Sequence, residues 1–184
     1  MNQRVLGILE YDKICDILRT HLASDIGREF AEKLRPAHRL SDVEALLQQT
    51  TEADSLYRRT GRTPIEGFPD IREMLMRIHA AHALSMGELL SAAHCLRVSR
   101  HAREMLQNTE NPGLLSMIAN RLAAHRPIEE EIARCILSED EIADNASPEL
   151  ARIRRQMRIT NERMRDKLNA MIKSTAYQKY LQEH

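Results

Sequence analysis

Aromatic residues are nearly missing from this chain. Among its 184 residues there is no tryptophan, and phenylalanine and tyrosine number only two and four. The core must then be built from Leu, Ile, Met and Ala, a palette that suits helix-on-helix packing better than sheet packing. Glycine and proline are scarce too, six of each, which leaves few turns and implies long elements. The three cysteines, Cys15, Cys95 and Cys135, are far apart and odd in number, which argues against a disulfide framework and for a reducing compartment. No apolar run approaches the roughly 20 residues of a membrane span. The opening "MNQRVLGILEYDK" lacks a signal-peptide core. A cytoplasmic protein without a membrane partner is expected. Net charge is also lacking: 27 basic residues balance 27 acidic ones, which excludes a global basic field for nucleic acid.

What is present is helical periodicity. Hydrophobic residues make up 42% and charged residues 29%, enough to form a core. Tyr11, Ile14, Leu18 and Leu22 step by three and four and define a first helix. Ser24 caps a second, short helix that ends near Leu34, with Pro36 beyond it. "SDVE" at 41–44 reads as a capping box for a third helix that runs to about Arg59, with Gly61 as its stop. "GRTPIEGFPD" at 61–70 is a loop. The fourth helix covers about 70–80, with Ile71, Met74, Leu75 and Ile78 facing inward. "SMGE" at 85–88 is a second capping box, flanked by Leu84 and Leu89 as a hydrophobic staple. It opens a long helix that ends near Asn108. Pro112 and Pro127 suit the first turns of two further helices. The acidic "SEDEIADNAS" at 138–147 reads as a turn or hairpin connector.

The last stretch is the most ordered in pattern. Ser147 is an N-cap, Pro148 the first helical residue and Glu149 an acid facing the positive helix end. Leu150, Ile153, Met157, Thr160, Met164, Leu168 and Met171 form a narrow heptad seam. From Pro148 the chain carries nine Lys/Arg against four Asp/Glu, a net +5, so the rest carries −5. The expected fold is all-α: a multi-helix bundle over 1–146 and a long projecting helix over 147–184. Leu150, Ile153 and Met157 are expected to be buried near the bundle. Beyond Met164 the seam should be exposed or covered by a second copy.

Candidate chemistry is sparse. None of the six glycines precedes a Lys-Ser or Lys-Thr pair, so no P-loop is read. His79 and His82 have a spacing that metal sites use, with His94, Cys95 and His101 as the nearest further ligands. A solvated or hydrogen-bonded helix face is the preferred reading. Cys15 and Cys135 read as buried structural thiols. The carboxylates Glu129, Glu130 and Glu131 read as a solvated first turn that complements the helix dipole. Tyr177 and Tyr180 read as a packing pair at a junction. No catalytic, cofactor-binding or metal site is assigned. The basic arm stands above this level. Arg154, Arg155, Arg158, Arg165 and Lys173 are the candidate phosphate contacts, sequence-independent, weak and salt-sensitive. A solvated coiled-coil exterior is the competing reading.

"SPELARIRR" (147–155) and "STAYQKYLQE" (174–183) resemble the core-and-lever region of bacterial MutS-like proteins of the second type. "LEYDKI" (9–14), "GRE" (27–29), "LRP" (34–36), "GFPDIR" (67–72) and "LSMGELL" (84–90) fit the same family's amino-terminal region in the same order. A departure is His82-Ala83, where glycine is expected in that family. "FAE" at Phe30–Glu32 mimics the mismatch reader's Phe-x-Glu tract, but it lies in a short amphipathic helix. The resemblance implies a homodimeric parent with a helical core, lever helices leading to a clamp, an ABC-type ATPase using ATP and Mg, and a nuclease domain. It implies binding to branched DNA, suppression of homologous recombination, and ribosome splitting in some members. The 184 residues would then be the core and ascending lever, with no cofactor of their own. The alternative is a stand-alone helical adaptor that binds a partner helix along the heptad seam.

Overall fold

In the computed structural model, residues 3–63, 65–107 and 113–174 are described. Among them are nine helices: α1 Gln3–Ile8, α2 Tyr11–Thr20, α3 Asp25–Lys33, α4 Leu40–Thr60, α5 Arg72–His79, α6 Met86–Gln107, α7 Leu114–Ala119, α8 Arg126–Cys135 and α9 Pro148–Lys173. The protein is all-α, with a single β-bridge, Ile136 to Ile142, among the described residues. Two compact units are formed, residues 1–133 and 134–184.

In the first unit, local chemistry sets most helix ends. Ser24 Oγ accepts from the Gly27 amide and starts α3. Gly61, at φ 64°, ends α4 in the left-handed conformation that a side chain would disfavour. The box at 85–88 closes reciprocally. Ser85 N–H donates to Glu88 Oε2 at 2.7 Å, and Glu88 N–H donates to Ser85 Oγ at 3.2 Å. Arg77 joins from α5, donating to Glu88 and to the Ala83 carbonyl, so the α5–α6 turn is pinned at both ends. Pro127 sits in the first turn of α8, as expected.

Two expectations fail, and one helix was not expected. The box at 41–44 does not form: α4 begins two residues earlier, at Leu40 with Arg39 as its N-cap, and the Ser41 hydroxyl turns to Asp42 Oδ1. Once Ser41 is helical it can no longer accept from the amide two or three residues on. Leu75 and Ile78 are exposed rather than inward. An eight-residue helix presents only about two turns, and α5 half-buries Ile71 and Met74 instead. The short helix α1 lies outside the expected set, because "QRVLGI" is too brief for its period to register. Pro112 and the end near Asn108 lie outside the described residues.

The core is small. Leu56 of α4, Leu106 of α6 and Ala119 of α7 are buried together, with Met105 and Leu115 packed against them. Two polar ties close the α4–α6–α7–α8 set. Glu52 accepts from the Leu114 and Leu115 amides at 3.1 and 2.9 Å, capping α7 from another helix. Arg100 of α6 donates to both carboxylate oxygens of Glu129 on α8. On the other side, Arg72 joins Glu29 of α3 to Asp70 of the loop.

The second unit is simpler. The chain turns back at 138–141, where Leu137 N–H donates to the Glu141 carbonyl at 2.9 Å and Ala143 N–H to that of Cys135 at 2.9 Å. The acidic stretch is thus a small hairpin, as its composition suggests. Ser147 Oγ then accepts from the Leu150 amide and starts α9, which runs 26 residues, about 39 Å at the α-helical rise.

Candidate functional site

The arm α9 holds the site residues that the sequence singles out. Its apolar seam is not buried at its start: Ile153 and Met157 are 43% and 58% exposed, and Leu150 is half-buried. The expected burial of these residues is therefore corrected. A strict three-four seam offers a stripe too narrow to bury itself. Met164, Leu168 and Met171 are exposed as expected.

The five candidate phosphate contacts do not act as one set. Arg154 donates to the Ile142 carbonyl at 2.8 Å and to Asp144 Oδ1; Arg158 donates to Asp144 Oδ2 at 2.9 Å. One carboxylate of the hairpin thus holds two arginines of the arm. Their hydrogen bonds, Arg154 first and Arg158 next, keep the Asp144 carboxyl below the usual aspartate range. Arg155, Arg165 and Lys173 are exposed and have no ion pair among the described residues. At 3.6 residues per turn, Arg154, Arg158 and Arg165 share one line along the helix. Arg155 and Lys173, about five turns apart, share another. Arg152 is occupied by Glu149 at 2.7 Å.

Asp144 is the residue that sequence reasoning missed. Its signal was available only as an acidic connector followed by a basic helix. Which carboxylate reaches which arginine depends on the hairpin's geometry, which no spacing rule supplies. Arg134 adds to the same arrangement, donating to the Asn145 and Ala146 carbonyls just before the Ser147 cap.

The remaining candidates resolve into structure. His79 Nδ1 lies 2.8 Å from the Leu75 carbonyl, and His94 Nε2 lies 2.8 Å from that of Gly67. Among the described residues no three His, Cys, Asp or Glu side chains group to hold a metal ion. Glu129 is not solvated as expected: it is 7% exposed and takes Arg100, because the first turn of α8 faces α6. Glu130 pairs with Arg126. The three cysteines are half-buried and form no disulfide with one another. Cys15 hydrogen-bonds Tyr11, whose hydroxyl pKa is raised by burial first and by the thiol next. Burial also pushes the Cys95 thiol up. Tyr177 and Tyr180, and the 175–183 part of the second quoted motif, lie outside the described residues. No helix among the described residues is long and apolar enough to cross a membrane.

An all-α chain whose capped basic helix opens on "SPELARIRR" is of the kind built into MutS-type proteins, and comparison with known proteins agrees. No family model matches the chain. It is 43% identical over 187 aligned positions to Endonuclease MutS2 of Acetivibrio thermocellus, 40% over 186 to that of Ruminiclostridium cellulolyticum, and 37% over 187 to that of Clostridioides difficile. Each match covers 100% of this chain and 24% of the relative. The chain belongs to the MutS2 family. It spans about a quarter of the length of these relatives.

Proposed function

We propose that the chain is the amino-terminal core and ascending lever of a longer MutS2 protein, and that it transmits movement rather than performing chemistry. The observation that carries this reading is the match along the whole chain to a quarter of proteins named endonucleases. The parent is then a cytoplasmic homodimer that binds branched DNA, uses ATP and Mg, cuts through a separate nuclease domain and suppresses recombination. Ribosomes are its second candidate target. The core domain is 1–146 and the lever 147–184.

A relay needs stiffness and an anchored base. Ser147 caps α9, Pro148 presets its first turn, and Arg154 and Arg158 tie its second and third turns to the hairpin. Over 26 residues the arm contains no glycine, and its only proline is at the start. Contact with nucleic acid through the arm itself is weak, since it rests on a few exposed cations and the remaining residues carry −5.

The test is a flexible break. In the full-length protein, Thr160→Gly with Asn161→Gly leaves the ends of α9 intact and costs about 0.5–1 kcal/mol of helix stability. The expected result is that ATP turnover and DNA binding both survive while stimulation of one by the other is lost. Unchanged coupling would overturn the relay. The 184-residue chain alone is expected neither to hydrolyse ATP nor to cut DNA, and turnover that copurifies with it would refute that. The second reading, an adaptor for a partner helix, is favoured by the exposed seam at Met164, Leu168, Met171 and Ile172. Under that reading the break weakens partner binding and leaves coupling intact.

A further inference from the structure

Arg154, Arg158 and Arg165 are separated by four and seven residues, so they lie along one line of α9, with Asn161 between the last two. Glu162, four residues after Arg158 and three before Arg165, flanks the line on the other side from Asn161. The line is cationic from Arg154 to Arg158 and resumes at Arg165. Yet its first two guanidinium groups are engaged by a carboxylate. Asp144 places one oxygen on each: Oδ1 on Arg154, and Oδ2 on Arg158 at 2.9 Å. That is how two adjacent arginines would grip two oxygens of one phosphate. The carboxylate comes from outside the helix, on the connector that precedes it.

We infer that Asp144 is an intramolecular competitor for phosphate: it occupies the cationic line of α9, and a polyanion that engages the arm displaces it. The inference rests on the reading of the arm as a weak phosphate contact and says what sets that weakness. Three features support it. The side chains are accessible, Asp144 at 57% and Arg158 at 62%, so a ligand can reach them. Exposed ion pairs are weakly held and yield to a multivalent competitor. Arg154 keeps its bond to the Ile142 carbonyl when Asp144 leaves, so it stays on its line. The ligand class is a phosphodiester backbone, whose successive phosphates can meet Arg158 and Arg165 in turn. While Asp144 is in place, Arg165 is the one cation of the line without an ion pair among the described residues.

The experiment compares the 184-residue chain with Asp144→Asn, an isosteric change that removes the charge and keeps the side chain's size. Binding to a fluorescent 20-base-pair duplex is measured by anisotropy between 50 and 200 mM salt. Exposing two more cations to phosphate should steepen the salt slope by about 1.8 and tighten binding at 150 mM by roughly tenfold or more. Arg154→Gln with Arg158→Gln, added to the Asp144→Asn chain, should reverse the gain. Far-ultraviolet circular dichroism checks that α9 persists in each variant. Equal affinity and slope for the original and Asp144→Asn chains would overturn the competition while leaving phosphate contact by the arm in place. A gain that survives loss of both arginines would also overturn it, since the effect would be one of net charge. Absence of binding by either chain at 50 mM would overturn both the competition and the phosphate reading beneath it.

Discussion

Among the described residues, two carry backbone conformations that side chains resist. Glu10, at φ 52°, precedes α2, and Ala81, at φ 59°, lies in the α5–α6 turn. A left-handed L-residue costs about 1–2 kcal/mol, and glycine there loses about 0.5–1 kcal/mol in unfolded-chain entropy. Relief exceeds loss, so Ala81→Gly is expected to stabilise the protein by about 0.5–1 kcal/mol. Ala81→Val should destabilise it, because branching at Cβ sharpens the clash. Urea unfolding of the three chains reads both signs. The sequence held a hint here: His82-Ala83 stands where its family resemblance calls for glycine, one residue beyond the strained position. It could mark that the turn was unusual, but not which residue bears the strain, since that is set by Arg77 gripping Glu88 and Ala83 from both sides.

At the scale of elements, two polar ties complete helices that propensity alone leaves unfinished. Helix α7 has six residues, too few to hold itself in water, and its first amides are met by Glu52 from α4. Gly113 makes room for this, because a Cβ there would collide with the Glu52 carboxylate. Glu52→Ala should cost about 1–2 kcal/mol, and Gly113→Ala should destabilise by pushing the same carboxylate off the amides. The amide bonds, that from Leu115 first, hold the Glu52 carboxyl below the usual glutamate range. A depressed folded-state value means its stabilisation is complete above the unfolded pKa and is lost as pH falls through the folded one. Urea midpoints measured from pH 7 down to pH 3 should therefore fall less steeply in Glu52→Ala than in the original chain. Arg100 and Glu129 form the other tie, at the centre of α6 and the start of α8. Removing Glu129 leaves Arg100 partly exposed with Glu104 as its remaining partner, so Glu129→Ala should cost about 1–2 kcal/mol. Caps within a few residues, at Ser24, Ser85 and Ser147, were legible because donor and acceptor sit at fixed short spacing. Glu52 and Glu129 were not: their partners lie 62 and 29 residues away, and their local surroundings look like any solvated helix face.

For the molecule as a whole, the balance of charge and exposed apolar surface decides whether α9 pairs with its own kind. The all-α class and the long last helix were legible from periodicity. The fate of the seam was not, because exposure depends on what lies beside it rather than on the stripe itself. Met164, Leu168, Met171 and Ile172 are each about half exposed. Burying the remaining half of each contributes on the order of 1 kcal/mol, so a pair of arms gains about 8 kcal/mol. Association costs an estimated 4–15 kcal/mol in lost freedom. From Pro148 onward each chain also carries a net +5, so two parallel or antiparallel arms repel along their length. The two sides nearly cancel, and the charge term tips them. The chain is expected to sediment as a monomer at micromolar concentration and 50 mM salt, and to begin to dimerise as salt rises toward 1 M. Leu168→Glu with Met171→Glu should abolish the high-salt dimer and leave the melting temperature unchanged, because both positions are half exposed already, at 53% and 46%. A dimer that is strongest at low salt would mean that charge pairing, not the apolar seam, holds it. A fall in melting temperature would mean that the seam packs within one chain. If both expectations hold, the natural covering of α9 is a helix with acidic flanks, since such a helix gains the apolar contribution and turns the charge term from repulsion to attraction.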